Sequence, residues 1–174
     1  HGLVSMNHHL EGELMINGAK QEFNGGKGYA EKDRGRSMPE AWIWMQSNHF
    51  EKDGVSFMLS IAKIPWLRSS FTGFLCVLLL DGQIHRFATY TGARLGKINL
   101  DNEQLTAEIK DRNMNLQITA RHACRGMLAA PLHGAMDRRI AESVDAMIDL
   151  KVTNTRSATV FSGRGIHAGL ELVG

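Results

Sequence analysis

The neighbouring carboxylates Glu31 and Asp33, two indoles and the amides Gln46 and Asn48 crowd into the single stretch Gly28–Phe50, GYAEKDRGRSMPEAWIWMQSNHF. On an extended strand side chains alternate between faces, so Tyr29, Glu31 and Asp33 share one face. Two carboxylates side by side in an enclosed place cannot both stay ionised, and the one that keeps its proton is a proton donor. If Ala41–Phe50 forms the next strand, Trp42, Trp44, Gln46, Asn48 and Phe50 share a face, opposite Ile43, Met45, Ser47 and His49. That face runs from aromatic to amide. Turned into an enclosed space, it lines a cavity that is oily at one end and hydrogen-bonding at the other, the usual make-up of a small-molecule pocket. The same residues also fit a reading without a ligand. Paired indoles pack across strands, and Glu31, Lys32, Asp33, Arg34 and Arg36 then form a solvated ion-pair cluster of small energetic value.

The elements that must position these groups are strands. Period-2 alternation dominates the chain. In Ser143–Thr153 the apolar set is Val144, Ala146, Ile148, Leu150 and Val152, and in Asn113–Ala120 it is Met114, Leu116, Ile118 and Ala120. Val55, Phe57, Leu59 and Ile61 repeat the pattern. Asn17-Gly18 lies between ELMI and KQEF, a strong hairpin cue, and Asp53-Gly54 and Asp81-Gly82 repeat it. Pro39, Pro65 and Pro131 fall where strands should stop or bend. The best helix candidate, Met136–Ala146, overlaps a strand pattern. The expected fold is therefore mostly β, an antiparallel, lipocalin-like barrel of about 8–10 strands with little helix, its edges hidden by closure. Ala123–Ala141 reads as the one long irregular region, of a kind that often carries function.

With 174 residues the chain suits one domain, 1–174. Its net charge of +2, from 20 basic and 18 acidic residues, lacks the basic excess of a nucleic-acid binder. Two cysteines make no disulfide framework. Cys76 sits in the apolar run FLCVLLL, and Cys124 with His122 forms one short ligand pair with no second pair to complete a metal site. No stretch reads as a signal peptide or a membrane span, which points to a cytoplasmic protein. The start at His1 rather than Met suggests part of a longer chain.

The string GGKGYAEKDRGRSMPEAWIWMQSNHF resembles the signature of the tocopherol cyclase family. IAKIPWLRSSFTGF (61–74), FATYTGA (87–93), GMLAAPLHGAMDRRIAES (126–143) and GIHAGLELVG (165–174) resemble further blocks of that family, in order along the chain. Two positions depart from it: Arg34 and Met38 stand where the family has aromatic residues. The resemblance implies a lipocalin-like fold related to carotenoid hydratases, and a chain that is the C-terminal half of a longer two-barrel protein.

It also implies a chemistry. A tocopherol cyclase closes a chromanol ring by protonating a prenyl double bond and capturing the tertiary cation with a phenol oxygen of the same molecule. The step needs no redox cofactor, and none is expected. It needs an acid kept protonated by burial, aromatic faces to steady the cation, and a dry pocket. The residues that fit are Glu31 and Asp33 as acid and base, and Trp42 and Trp44 as cation faces. Gln46, Asn48 and His49 would grip the phenol oxygen, with Tyr29 and Tyr90 as secondary donors and Glu171 as a reserve acid. Arg121, Arg125, Arg138 and Arg139 are candidates for an acidic group at the rim. The expected partner is an isoprenoid or quinol lipid, with peripheral membrane association and packing on an N-terminal domain as further expectations. Two alternatives remain: a binder of an apolar lipid without turnover, and a partner domain with no site of its own.

Overall fold

The computed structural model describes residues 2–35, 38–66, 69–101, 104–122 and 126–174. Arg36, Cys124 and Arg125, considered above for an ion-pair cluster, a metal site and an anion-binding rim, lie outside them. The chain divides into two compact units, His1–Arg34 and Gly35–Gly174.

In the first unit β1 (Gly2–Leu10) pairs antiparallel with β4 (Gly26–Lys32), and β2 (Glu13–Ile16) pairs with β3 (Ala19–Glu22). The β2–β3 turn falls at Asn17-Gly18, with φ of 50° and 80°. Both are left-handed, as a two-residue type I′ turn requires, and Asn and Gly tolerate that conformation best.

The second unit is a single antiparallel sheet. Its strands are β5 (Trp42–Ser47), β6 (His49–Phe50), β7 (Ser56–Trp66), β8 (Ser69–Leu80), β9 (Gln83–Ala88), β10 (Arg94–Asp101), β11 (Gln104–Lys110), β12 (Met114–Arg121), β13 (Gly126–Leu132), β14 (Ala135–Asn154) and β15 (Thr159–Val173). The ladder runs β10-β11-β12-β14-β15-β5-β7-β8-β9, with β13 added to β14 and β6 to β15. The fold is mostly β and antiparallel, as expected, but the sheet is open and not a closed barrel. β9 and β10 stand at its two ends, and no ladder joins them among the described residues. The chain between them is taken up by a short 3₁₀ turn, η1 (Thr89–Thr91), and by the left-handed Gly92.

Ala123–Ala141 is not an irregular loop over its described part. Gly126–Leu132 and the start of β14 form a hairpin that turns at His133-Gly134, with φ of 52° and 93°. His-Gly supplies the same left-handed pair as Asn-Gly with a weaker sequence cue. Met136–Ala146 is likewise strand, inside β14.

One face of the sheet carries the main core. Met45, Phe57, Leu59, Leu78, Phe87, Ile109, Leu116, Ile118, Ile148 and Leu150 are all buried in one continuous apolar cluster. Strand pairing aligns these residues in rows, for example Ser143–Leu170–Met45–Leu59–Cys76–Phe87. β14 departs from simple alternation. Between Ser143 and Ala146 the register shifts, so Ser143 and Ala146 are both fully buried while Val144 is 70% exposed. A bulge of this kind adds an unpaired residue and flips the face that follows. The expected inward Val144 therefore points out.

A second interruption splits the strand expected over Ala41–Phe50. β5 ends at Ser47, whose hydroxyl donates to Ile166 O at 2.9 Å and accepts from the His49 N–H at 3.1 Å. Phe50, expected on the face of Trp42 and Trp44, instead joins the main core.

Candidate functional site

The proposed site residues divide between the two units. In the first, Tyr29 and Glu31 follow each other on one face of β4, and the Tyr29 hydroxyl donates to Glu31 Oε2 at 2.5 Å. Burial, reinforced by that carboxylate, pushes the Tyr29 phenol well above its usual value. This phenol is a fixed donor to Glu31. Asp33 lies beyond the end of β4 and is exposed. The enclosed pair of acids expected at Glu31 and Asp33 is not formed, because the strand stops one residue too early to carry Asp33 inward.

In the second unit Trp42 and Trp44 lie on the face opposite the main core, not in it. Their neighbours Ile43 and Met45 point to that core. Trp42 is buried in a separate apolar cluster with Ala130 and Ile140, against Met38, Trp44, Ala62 and Val173. Two polar contacts hold it. Its indole N–H donates to Glu171 Oε2 at 2.5 Å. The Arg138 guanidinium lies 4.8 Å from its ring centroid, a cation–π distance. That guanidinium is itself anchored by donating to Pro39 O and Glu40 O, each at 2.7 Å.

The row beside it joins three strands. Glu171 on β15 stands directly across from Trp44 on β5, and on its other side directly across from Glu142 on β14. Directly opposed residues in an antiparallel pair share a face, with Cβ atoms about 5 Å apart. Burial pushes the Glu142 carboxyl above the usual carboxylate range. Two carboxylates and two indoles thus occupy one patch of this face. Gly169, opposite Gln46, makes room for it: a Cβ there would fall 2.6 Å from Trp44 Cζ3.

Several polar atoms in this region are buried without a hydrogen-bond partner among the described residues: Trp44 Nε1, Gln46 Oε1 and Asn48 Nδ2. Trp44 and Gln46 are two apart on one strand face, so an N–H donor and a carbonyl acceptor sit side by side. An unmade bond of this kind costs about 1–3 kcal/mol, so it usually reports a strained or functional place. His49 is displaced to another role. It pairs with Ile166 on β15, and its ring meets His167 edge to face at 5.7 Å. Tyr90 sits in η1, 75% exposed and beyond β9, three strands from Trp44. It is not brought to the patch.

Of the two acids of this patch, Glu171 is the reserve acid of the sequence reading and Glu142 is not among its candidates. The available signal was the segment GMLAAPLHGAMDRRIAES, of which Glu142 is the only glutamate. Among the described residues no group of three or more His, Cys, Asp or Glu side chains is arranged to hold a metal ion. No helix among them is long and apolar enough to cross a membrane.

An apolar cleft of about 320 Å³ lies beside the Trp42 cluster at one end of the main core face, lined by Trp42, Ile43, Ile61, Ile98, Leu105 and Leu172 with Lys63 and Thr72 at its polar side.

No curated protein and no solved structure matches the chain. A family model described as tocopherol cyclase-like matches residues 1–174, its whole length. The likeness of the separate blocks and the match over the full chain agree, and the chain belongs to the tocopherol cyclase-like family.

Proposed function

We propose that this chain binds a prenylated quinol at the Trp42–Trp44–Gln46 face and closes it to a chromanol. The observation that carries this reading is the adjacent pair of partnerless buried groups, the Trp44 indole N–H and Gln46 Oε1. A quinol hydroxyl both accepts and donates. One such hydroxyl answers an N–H donor and a carbonyl acceptor at once.

The rest of the patch suits the reaction. Glu142 is pushed up by burial, so it holds a proton more readily than a free glutamate. Glu171 faces it and is steadied by the Trp42 N–H. In the proposed step this pair delivers one proton to the prenyl alkene. A tertiary cation forms, and the indole face of Trp44 steadies it by roughly 0.5–2 kcal/mol, the Trp42 ring being already covered by Arg138. The phenol oxygen closes the ring, and its proton returns to the carboxylate pair. One C–H and one C–O bond form, one O–H bond and the alkene π bond break, and the acid is regenerated. Glu142 and Glu171 take the acid and base roles first assigned to Glu31 and Asp33, since Asp33 is exposed.

The test is incubation of the purified protein with a prenylated hydroquinone, with chromatographic detection of the isomeric chromanol. Glu142→Gln and Glu171→Gln should each lower turnover by 100-fold or more, the scale of a lost general acid, while Asp33→Asn leaves it unchanged. A protein that binds the quinol but yields no chromanol is a lipid binder, and the cyclase reading fails.

A further inference from the structure

We infer a second ligand site, at the cleft that Trp42 shares with the main core face, that takes a long-chain carboxylate. The inference is independent of the cyclase reading. On the main core face the apolar row Leu172–Ile43–Ile61–Phe74 is followed by one last row, in which Lys63 stands opposite Thr72 and the Lys63 N–H donates to Ala41 O at 3.1 Å. The sheet curls enough at this end that Ile98, Leu100 and Leu105, from β10 and β11, line the same space as Ile43 and Ile61.

The space exists because the last row is small. Ala41 and Thr72 stand where larger apolar side chains would have closed the core to normal packing density, and a cleft of about 320 Å³ remains. That is the lower end of the range of small-molecule pockets, about 300–1,000 Å³, and suits one slender chain.

The polar side of the cleft specifies the head group. Lys63 brings a positive charge and Thr72 a hydroxyl donor, side by side on paired strands. The carboxylate nearest to Lys63 Nζ is Glu40 Oε2, at 3.9 Å, the outer limit of an ion pair, and the Glu40 side chain is 83% exposed. That ion pair is worth little. A ligand carboxylate would gain a charge-assisted bond from the ammonium and a second bond from the hydroxyl, while its chain covers the apolar wall. Trp44, Gln46, Glu142 and Glu171 lie on the other face of the sheet and do not line the cleft, and Trp42 is the residue that the two sites share.

The experiment uses the 174-residue chain and the fluorescent polyene carboxylate cis-parinarate, displaced by dodecanoate or by dodecanol. Dodecanoate should displace the probe about two- to fivefold more strongly than dodecanol, the effect of one partly exposed charge pair. Lys63→Met should remove that preference and leave dodecanol unchanged. Ile98→Trp, on a partly buried edge strand, should fill the cleft and abolish binding of both. Trp44→Phe, on the opposite face, should change neither. Equal displacement by the two compounds, an unaltered preference in Lys63→Met, binding that survives Ile98→Trp, or binding lost in Trp44→Phe would each overturn the inference.

Discussion

Glu142 faces Glu171 across the β14–β15 ladder, and its own burial holds it above the ordinary carboxylate range. The consequence for stability has a definite sign. A carboxyl whose pKa is higher in the folded state favours folding while it is protonated. That contribution is lost as pH rises from the unfolded value, about 4.3 for glutamate, through the folded one. Glu142→Gln removes the titration. The variant is therefore expected to be more stable than the parent at pH 7, with the difference vanishing below about pH 4, in urea denaturation at both pH values. A variant less stable at pH 7 would mean that a partner holds Glu142 ionised, against its assignment as proton donor. Stability and turnover should move in opposite directions here, as they do where a site is kept at a cost to the fold.

Two strands decide where such residues point. On β15, Gly169 leaves the space that the Trp44 ring occupies. Gly169→Ala puts a methyl within 2.6 Å of that ring, so the indole must shift. The expected cost is about 1–3 kcal/mol, with a change in the tryptophan emission maximum and weaker quinol binding. An unchanged spectrum would show that the ring does not depend on this approach. On β14, the bulge turns Val144 into solvent. Val144→Ser should accordingly change stability by no more than about 0.5 kcal/mol in chemical denaturation, as surface substitutions do. A loss of 1–2 kcal/mol would restore simple alternation across this segment and reject the register shift. The period of a strand is two, so one added residue reverses every side chain beyond it. Nothing in the string SVDAMI announces where that residue is added.

The second unit as a whole rests on one apolar face that runs from β11 to β9. Leu150 lies near its middle and is 1% exposed. Leu150→Ala should destabilise the fold by about 2–5 kcal/mol, which for a chain of this size lowers Tm by roughly 5–15 °C in calorimetry. A shift under 2 °C would mean that this face contributes little to folding.

From the residues alone came the class of the fold, most of the turns and the family. These follow from local rules: alternation marks strands, Asn-Gly and Asp-Gly mark turns, and a motif is read letter by letter. The tertiary structure decided the rest. It set the two indoles outside the main core, left Asp33 in solvent, opened the sheet between β9 and β10, and brought the Glu142–Glu171 hairpin pair against Trp44 on a strand distant in sequence. Each of these depends on bulges, strand ends and long-range pairing, which are set by how whole strands pack together and leave no mark on any short stretch of sequence.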